Sequence, residues 1–398
     1  MKILQINSYN FGSTGNIMVG IADTARARGM TCITACPDGR SMRVRKLENH
    51  RFIGSRIGRN LHIRLAELTG LHGCFSVADT WFFLRQVRAM KPDVIHLHNL
   101  HNCYINLPML FRFLRRSGIP VVWTLHDCWA FTGKCPYFDM AGCDRWKSGC
   151  HHCPQLADYP TARVDTTARM WKWKRKWFTL PEKMTIVTPS QWLADLAGQS
   201  FLGKYPVRVI PNGTDLSVFQ PTAREKDPEG TYTVLGVAFE WGQRKGLDVF
   251  VELARRLDER FQIVLVGTNE AIDRQLPENI RSIHRTADVW ELTRLYSGAD
   301  VFVNPTREEA LGMVNIEALA CGTPVVTFRT GGSPECLDDT CGAVVEKDDM
   351  DALTRQIIRI CTEKPYAEAD CVRVARRFDK QARFADYCRL YEEQYEQN

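Results

Sequence analysis

The sequence contains no run of about eighteen apolar residues, the length a helix needs to cross a bilayer. Its start, Met1-Lys2-Ile3-Leu4-Gln5-Ile6-Asn7, turns polar too early for a secretory leader. A cytoplasmic, non-spanning chain is the expectation. Short repeats and low-complexity tracts are also missing, so nothing points to a disordered or repeat-built chain. An even, regularly spaced cysteine set is absent too: the fifteen cysteines are an odd number and mostly scattered. That fits reduced thiols better than a secreted disulfide framework. Acidic charge is scarce in one half only. Residues 1–200 carry 27 Lys and Arg against 13 Asp and Glu, while residues 201–398 carry 25 against 33. Such asymmetry marks an anionic substrate, an anionic membrane surface or nucleic acid, and composition alone does not choose.

At 398 residues with ordinary composition, two domains of roughly 200 residues each are expected. The most informative stretch is 301–324. Val301-Phe302-Val303-Asn304-Pro305 reads as a buried parallel strand with a proline break. A loop follows, then a helix from Met313 to Ala320 that Gly322 and Pro324 stop. Unpaired amides near Gly312, Met313 and Val314 at the carboxyl end of a strand form an anion site, with phosphate as the natural guest. Glu309 and Glu317 flank it as carboxylates able to accept hydroxyl hydrogen bonds. Hydroxyls attached to a phosphate suggest a nucleotide sugar.

Glu309 and Glu317, separated by seven residues that include Gly312, resemble the E-x7-E signature of family 4 retaining glycosyltransferases. The resemblance implies an α/β chain of the GT-B fold, two Rossmann-like domains facing an interdomain cleft. It implies Glu309 beside the transferred sugar, the amides of Gly312, Met313 and Val314 on sugar and diphosphate oxygens, and Glu317 on the ribose. Lys245 in Arg244-Lys245-Gly246 resembles the family's Lys-Gly lysine, and Lys245 with Arg244 can neutralise a diphosphate. Many members carry an arginine about five residues earlier, where this chain has Phe239-Glu240, so Arg244 is the candidate replacement. Gly331-Gly332-Ser333-Pro334-Glu335 resembles the next cleft loop. Pro211-Asn212-Gly213-Thr214-Asp215 resembles the segment where the chain leaves the first domain. Matching motifs run from about residue 3 to 335.

In the first half, a strand at Lys2 to Ile6, a loop with Gly12-Ser13-Thr14-Gly15 and a helix from Asn16 to Arg28 open the chain. This is not the full dinucleotide fingerprint. Gly15 either approaches the donor diphosphate, as the resemblance implies, or serves a tight turn. Strands from Asp93 to His98 and Pro120 to Leu125 resemble the family's paired strands, and His126, after the second, is the candidate cleft histidine. His96, His98 and His101 read as packing residues, with metal ligation as the alternative.

Cys128, Cys135, Cys143, Cys150 and Cys153 fall within twenty-six residues. Cys135, Cys143, Cys150 and Cys153 are a candidate structural zinc set, against free thiols or a redox pair. Some polysaccharide-assembly members carry a similar insertion, here about 128–153. The stretch from Arg169 to Phe178 interleaves tryptophan with lysine and arginine. It reads as peripheral contact with an anionic membrane, as a helix packing Trp171 and Phe178 inward, or as a stacking surface for nucleic acid, for which no recognised module is present.

The expected domains are 1–210 on the acceptor side, a linker over 211–228, a nucleotide-sugar domain over 229–378, and a terminal helix over 379–398 packing back on the first domain. The expected function is metal-independent, retaining transfer of a hexosyl unit from a nucleotide-diphosphate sugar to a glycan or lipid-linked acceptor in cell-surface polysaccharide synthesis, with no cofactor required. A nucleotide-sugar epimerase and a non-catalytic nucleotide-sugar-binding protein are the rivals. No nucleic-acid partner is expected, and localisation is cytoplasmic or peripheral at the inner face of the membrane.

Overall fold

The computed structural model describes residues 1–37, 47–223 and 230–397. The expected linker over 211–228 and the second-domain start at 229 fall partly on residues 224–229, outside the described residues. The chain divides into two compact units, one of Met1–Pro211 with Gln381–Asn398 and one of Asn212–Lys380.

The first unit holds seven strands: β1 Lys2–Ile6, β2 Thr31–Pro37, β3 His50–Ile53, β4 Val94–Leu97, β5 Val121–Thr124, β6 Met184–Thr188 and β7 Val207–Val209. They form one parallel sheet in the order β3-β2-β1-β4-β5-β6-β7. Parallel strands joined through helices are covered on both faces, so their side chains alternate between two apolar layers. Leu4, Ile95, Val121 and Ile186 point to one core, and Ile3, Val94, Val122 and Val187 to the other. Helices Val77–Met90, Leu107–Ser117 and Thr167–Phe178 bury Phe83, Leu110, Phe111 and Phe178 in the first of these layers. Helices Gly12–Ala27 and Lys380–Glu396 supply Ile17, Ile21, Phe384 and Tyr387 to the second. The last helix is tied to the sheet by polar contacts as well, since Tyr391 Oη lies 2.6 Å from His96 Nδ1.

The second unit has six strands: β8 Tyr232–Val237, β9 Phe261–Val266, β10 Ile280–Ile283, β11 Val301–Asn304, β12 Val325–Phe328 and β13 Gly342–Val345. They also form a parallel sheet, in the order β10-β9-β8-β11-β12-β13. Val301 and Val303 face helices Leu247–Arg256 and Met350–Glu363, whereas Phe302 faces Ile316 and Leu319 of helix Met313–Ala320. Both sheets therefore reverse their strand order beside the first strand, between β1 and β4 and between β8 and β11. Each unit is a Rossmann-like α/β domain, and ligands of such sheets gather beyond the strand carboxyl ends at that reversal.

A candidate nucleotide-sugar site at the strand reversal of the second unit

The loops leaving β8 and β11 flank the reversal in the second sheet. Arg307 joins them: its amide donates to Arg244 O (2.9 Å) and its guanidinium to Gln243 O (2.6 Å). The same guanidinium forks onto Asp248 with two 2.8 Å hydrogen bonds and reaches Asp348 at 2.8 Å. A bidentate pair fixes orientation as well as distance. Held in this way, Lys245 Nζ meets Glu309 Oε2 at 2.6 Å, across 64 residues of sequence. Both side chains are only partly exposed, 20% and 18%, so the pair is less screened than an open surface contact.

Helix Met313–Ala320 begins beside this pair, at the residue expected. Gly312 precedes it with φ 95°, a left-handed conformation that glycine adopts without penalty, and a Cβ there would meet Asn315 Nδ2 at 3.0 Å. Asn315 N is taken by Gly312 O at 3.0 Å. The amides before it open the helix at its positive end. A polar chain behind the turn holds its shape: Asn304 Nδ2 donates to Asn315 Oδ1 (2.8 Å), and Asn315 Nδ2 to Ser333 Oγ (2.8 Å). Gly332 N donates to Glu309 O at 3.1 Å, which brings the Gly331-Gly332 turn against the same loop. One turn into the helix, Glu317 Oε2 accepts from Tyr296 Oη at 3.0 Å. Burial pushes the Glu317 carboxyl up to about 7, with the Tyr296 hydrogen bond opposing the rise. Lysine, helix amides and two carboxylates thus share the carboxyl side of β8 and β11, a set that can hold an anion and accept from hydroxyls. Arg244 lies in the same loop as Lys245, where its carbonyl accepts from the Arg307 amide.

In the first unit, Asn7 Oδ1 bridges the strand reversal, accepting from Ser8 N (2.8 Å) and Asn99 N (3.3 Å). His126 follows β5, and its Nε2 lies 3.1 Å from His98 Nδ1, the rings nearly parallel at 11°. His98 Nε2 in turn lies 2.9 Å from Gln5 Oε1, while Gln5 Nε2 donates to Cys32 Sγ. With the Gln5 oxygen accepting from His98, His98 Nδ1 is left as an acceptor and His126 Nε2–H is its donor. Neutral His126 therefore presents Nδ1 as a lone pair. Burial lowers the His126 imidazole to about 4, although neighbouring Asp127 acts the other way. Burial would raise Asp127, but His101 at 3.2 Å and the Trp129 amide outweigh it and hold the carboxyl below its ordinary range. His96 is a core residue between Tyr391 and Thr124. Gly15 sits in the first turn of its helix, where a Cβ would lie 2.7 Å from the Asn10 carbonyl carbon. Its missing side chain lets helix and loop pack against each other. The helix starts at Gly12, four residues ahead of the expected Asn16.

One expectation changes. Among the described residues no three His, Cys, Asp or Glu side chains are placed to hold a metal ion. Burial raises the Cys135 and Cys150 thiols, with Cys150 and Cys153 adding to the rise at Cys135 and Cys143 to that at Cys150, yet Cys135, Cys143, Cys150 and Cys153 are all free thiols without metal-holding geometry. The expected zinc set thus has no support. What orders this loop is visible instead. Lys174, fully buried, donates to Trp129 O (2.6 Å) and Thr132 O (3.1 Å) and stands 3.5 Å over the Trp129 ring. Lys134 donates to Gln155 O and Asp158 O. For residues 169–178 the structure bears out the reading in which a helix packs Trp171 and Phe178 inward. They form helix Thr167–Phe178, in which Met170, Trp171, Trp177 and Phe178 are buried. Those tryptophans belong to the core and not to a surface belt, while Lys172, Arg175 and Lys176 point outward.

Sequence reading missed Arg307 as the staple between loops, Tyr296 as the partner of Glu317, and the Gln5 to His98 chain behind His126. The first two pair with residues far away in sequence, and no spacing rule reaches them. The chain's position one strand apart, Gln5 on β1 and His98 just past β4, was the only available signal.

The chain is 27% identical over 275 residues to the protein named for colanic acid biosynthesis, glycosyl transferase WcaC of Escherichia coli (strain K12), covering 66% of each. It is 30% identical over 188 residues, 41% of this chain and 49% of the relative, to a GDP-mannose-dependent monoacylated alpha-(1-6)-phosphatidylinositol monomannoside mannosyltransferase of Corynebacterium glutamicum. The match thus spans about two-thirds and one-half of these relatives. Among solved structures, sucrose-phosphate synthase from Thermosynechococcus elongatus superposes with a TM-score of 0.73 at 18% identity, covering 100% of both chains. Anabaena Alr3699/HepE in complex with UDP-glucose gives 0.64 at 14% identity over 99% and 100%. These likenesses show the fold, GT-B. Residues 231–363 match the family described as Glycosyl transferases group 1. Residues 15–218, just over half of the sequence, match the one described as Glycosyltransferase Family 4, and it is to this family that the chain belongs.

Proposed function

We propose that the chain is a retaining glycosyltransferase that moves a hexosyl unit from a nucleotide-diphosphate sugar to a glycan or lipid-linked acceptor in cell-surface polysaccharide synthesis. The observation that carries this reading is the 2.6 Å contact between Lys245 and Glu309 beside the opening turn of helix Met313–Ala320. A cation, a helix N-terminus and a carboxylate within one loop cluster suit a diphosphate joined to a hydroxyl-rich ring. The family supplies the reaction class. Relatives named for colanic acid biosynthesis and for a phosphatidylinositol mannoside favour a glycan or lipid-borne acceptor, and a neighbour bound to UDP-glucose favours a nucleotide sugar as donor.

In this reading the bond from the anomeric carbon to the diphosphate oxygen breaks, and its electron pair stays on that oxygen. Lys245, Arg244 and the amides of Gly312, Met313 and Val314 stabilise the growing charge, so no divalent ion is needed. The acceptor hydroxyl attacks from the same face and passes its proton to the departing oxygen, which retains the configuration. In the second unit Glu309 orients the sugar and Glu317 holds the ribose; in the first, His126 accepts from a substrate hydroxyl. Acceptors enter on the basic first unit, and a lipid-linked acceptor brings the protein to the inner face of an anionic membrane.

The test is a panel of nucleotide sugars read by thermal shift, since a ligand bound only to the native state raises its melting temperature. Release of nucleoside diphosphate, with and without glycan acceptors, follows for each hit. One nucleotide sugar should stabilise the chain and be consumed faster when an acceptor is present. An epimer formed from donor alone would sink the transfer reading, as would the absence of any shift across the panel.

A further inference from the structure

The positive charge of the first half collects on one layer of the first unit. Helices Arg56–Thr69, Val77–Met90, Leu107–Ser117 and Thr167–Phe178 carry thirteen Lys and Arg in all, against Glu67 and Asp79 as their only carboxylates. Of these cations only Arg59 and Lys174 are not exposed. The helices on the opposite face of the sheet, Gly12–Ala27 and Lys380–Glu396, carry four cations and five carboxylates. Solubility alone would not place the surplus on one side.

The same layer also exposes large apolar side chains. In helix Arg56–Thr69 the inward side holds His62, bonded to Ser76, and the outward side presents Ile57 (82% exposed), Leu61 and Leu68 with Arg64 between them. Positions 57, 61, 64 and 68 fall on one stripe of a helix. This inverts the usual arrangement, in which the apolar stripe is the buried one. Helix Val77–Met90 continues it: Trp81 and Phe82 are exposed with rings in contact, and Arg85 lies over the Trp81 indole at 4.9 Å. Arg88 reaches across to the Phe113 ring of the next helix. Farther along, Arg112, Arg115, Arg116 and Lys176 surround a depression of ≈ 540 Å³ floored by Trp177 and Leu180.

We propose that this layer is a docking surface for an anionic lipid membrane, with Ile57, Leu61, Trp81 and Phe82 entering the interfacial zone and the Arg112 to Arg116 cluster on lipid phosphates. Cations beside exposed indole, phenyl and aliphatic groups match a headgroup boundary, where each finds its own environment. A second copy of this chain would bring eleven exposed like charges against eleven. Nucleic acid would use the cations and the aromatic rings, but it offers nothing to Ile57, Leu61 and Leu68. The proposal deepens the reading above, resting on it only for the lipid-linked acceptor.

The experiment is flotation of the full chain with vesicles of phosphatidylcholine alone or with one-third phosphatidylglycerol. Wild type should float with the anionic vesicles, poorly with the neutral ones, and less at high salt. Each cation near an anionic surface is worth roughly fivefold in partition, so Arg112→Gln with Arg115→Gln and Arg116→Gln should weaken binding roughly 100-fold. Trp81→Ser with Phe82→Ser, and separately Ile57→Ser with Leu61→Ser, should each abolish flotation at moderate salt while far-UV circular dichroism stays that of wild type. Wild type that fails to float, equal flotation on both vesicles, or apolar variants that float as wild type would overturn the proposal. So would a single-stranded RNA oligonucleotide that binds as tightly as the vesicles and ignores the apolar variants. Nucleotide-sugar thermal shifts on the same samples keep the two readings apart, because donor binding uses none of these residues.

Discussion

His98 Nδ1 accepts from His126 Nε2 at 3.1 Å, and the Gln5 oxygen behind His98 sets the direction of that bond. The consequence is a neutral His126 locked as one tautomer, with Nδ1 free to accept. In a nitrogen-15 spectrum of the histidines, His126 should stay a single Nε2–H tautomer from pH 5 to 8, since burial has lowered its imidazole to about 4. His98→Phe removes the acceptor, so both tautomers should appear. Losing a hydrogen bond worth about 1 kcal/mol should then slow transfer roughly fivefold at unchanged KM. An unaltered spectrum would mean that His98 does not hold the ring.

Burial of neutral imidazoles also sets the acid limit. His62 is lowered to about 3, and His72 and His126 to about 4, all chiefly by burial. Once unfolded they titrate near 6.5, so below that value the unfolded chain binds more protons and stability falls as pH falls. At pH 5.5 each of the three should cost about 1.4 kcal/mol relative to pH 7.5. Urea midpoints at the two values check this, and equal midpoints would contradict it.

Lys245 and Glu309 lie in contact in the free protein, so each substitution breaks a pair as well as a site. Lys245→Ala should lower kcat/KM by 10²–10³, about 2.7–4 kcal/mol, the usual loss when one preorganised charge donor is removed. Glu309→Gln keeps shape and hydrogen-bonding capacity but not charge. It should lower kcat with nucleoside diphosphate affinity retained, whereas Lys245→Ala should lower both. Circular dichroism unchanged from wild type confirms that neither effect comes from unfolding.

Much of this arrangement was legible before any coordinates. Buried parallel strands read as short apolar runs, and β1, β4, β5 and β11 all did. Helix Met313–Ala320 was read to the residue because glycine stood at both ends of it. Strands β3 and β10 escaped notice. They are edge strands with only Ile53 and Ile280 buried, so neither shows an apolar run. Helix Arg56–Thr69 escaped for a different reason: its apolar residues point outward and its histidine inward, which defeats a search for an inward stripe. Lys245 and Glu309 were found through a resembling motif, but the 2.6 Å contact between them was not, since a motif carries no distance. Lys174 was not legible, because a lysine beside Arg175 in a cation-rich stretch reads as solvent-facing.

Glu317 separates stability from binding. Its folded carboxyl stands at about 7 against an ordinary value near 4.5. Between these values the folded chain keeps a proton that the unfolded chain releases, so stability is full below 4.5 and is lost as pH rises through 7. The loss reaches about 3 kcal/mol. Glu317→Gln still accepts from Tyr296 and carries no charge, so its Tm should exceed that of wild type at pH 8 and equal it near pH 4. Nucleotide-sugar affinity should nevertheless drop roughly tenfold, because a charged acceptor of hydroxyl hydrogen bonds is gone. A variant that gains stability and keeps affinity would remove Glu317 from the site.

Lys174 decides what orders the cysteine-rich loop. Burial lowers its ammonium to about 7, opposed by nearby Cys150 and Cys135, and it still donates to the Trp129 and Thr132 carbonyls. In Lys174→Met both carbonyls lose their partner, at about 1–3 kcal/mol each, while the cost of burying a charge disappears. These terms oppose each other in the total, so the informative readout is local. Amide hydrogen exchange over residues 128–135 should quicken at least tenfold in Lys174→Met, with exchange in β5 unchanged. A chelator added to wild type should leave the same amides as protected as before, because two lysines and the packing of Phe131, Phe138 and Trp146 already hold this loop. If chelation opened it and Lys174→Met did not, a metal would be the organising element and the lysines its counter-charge.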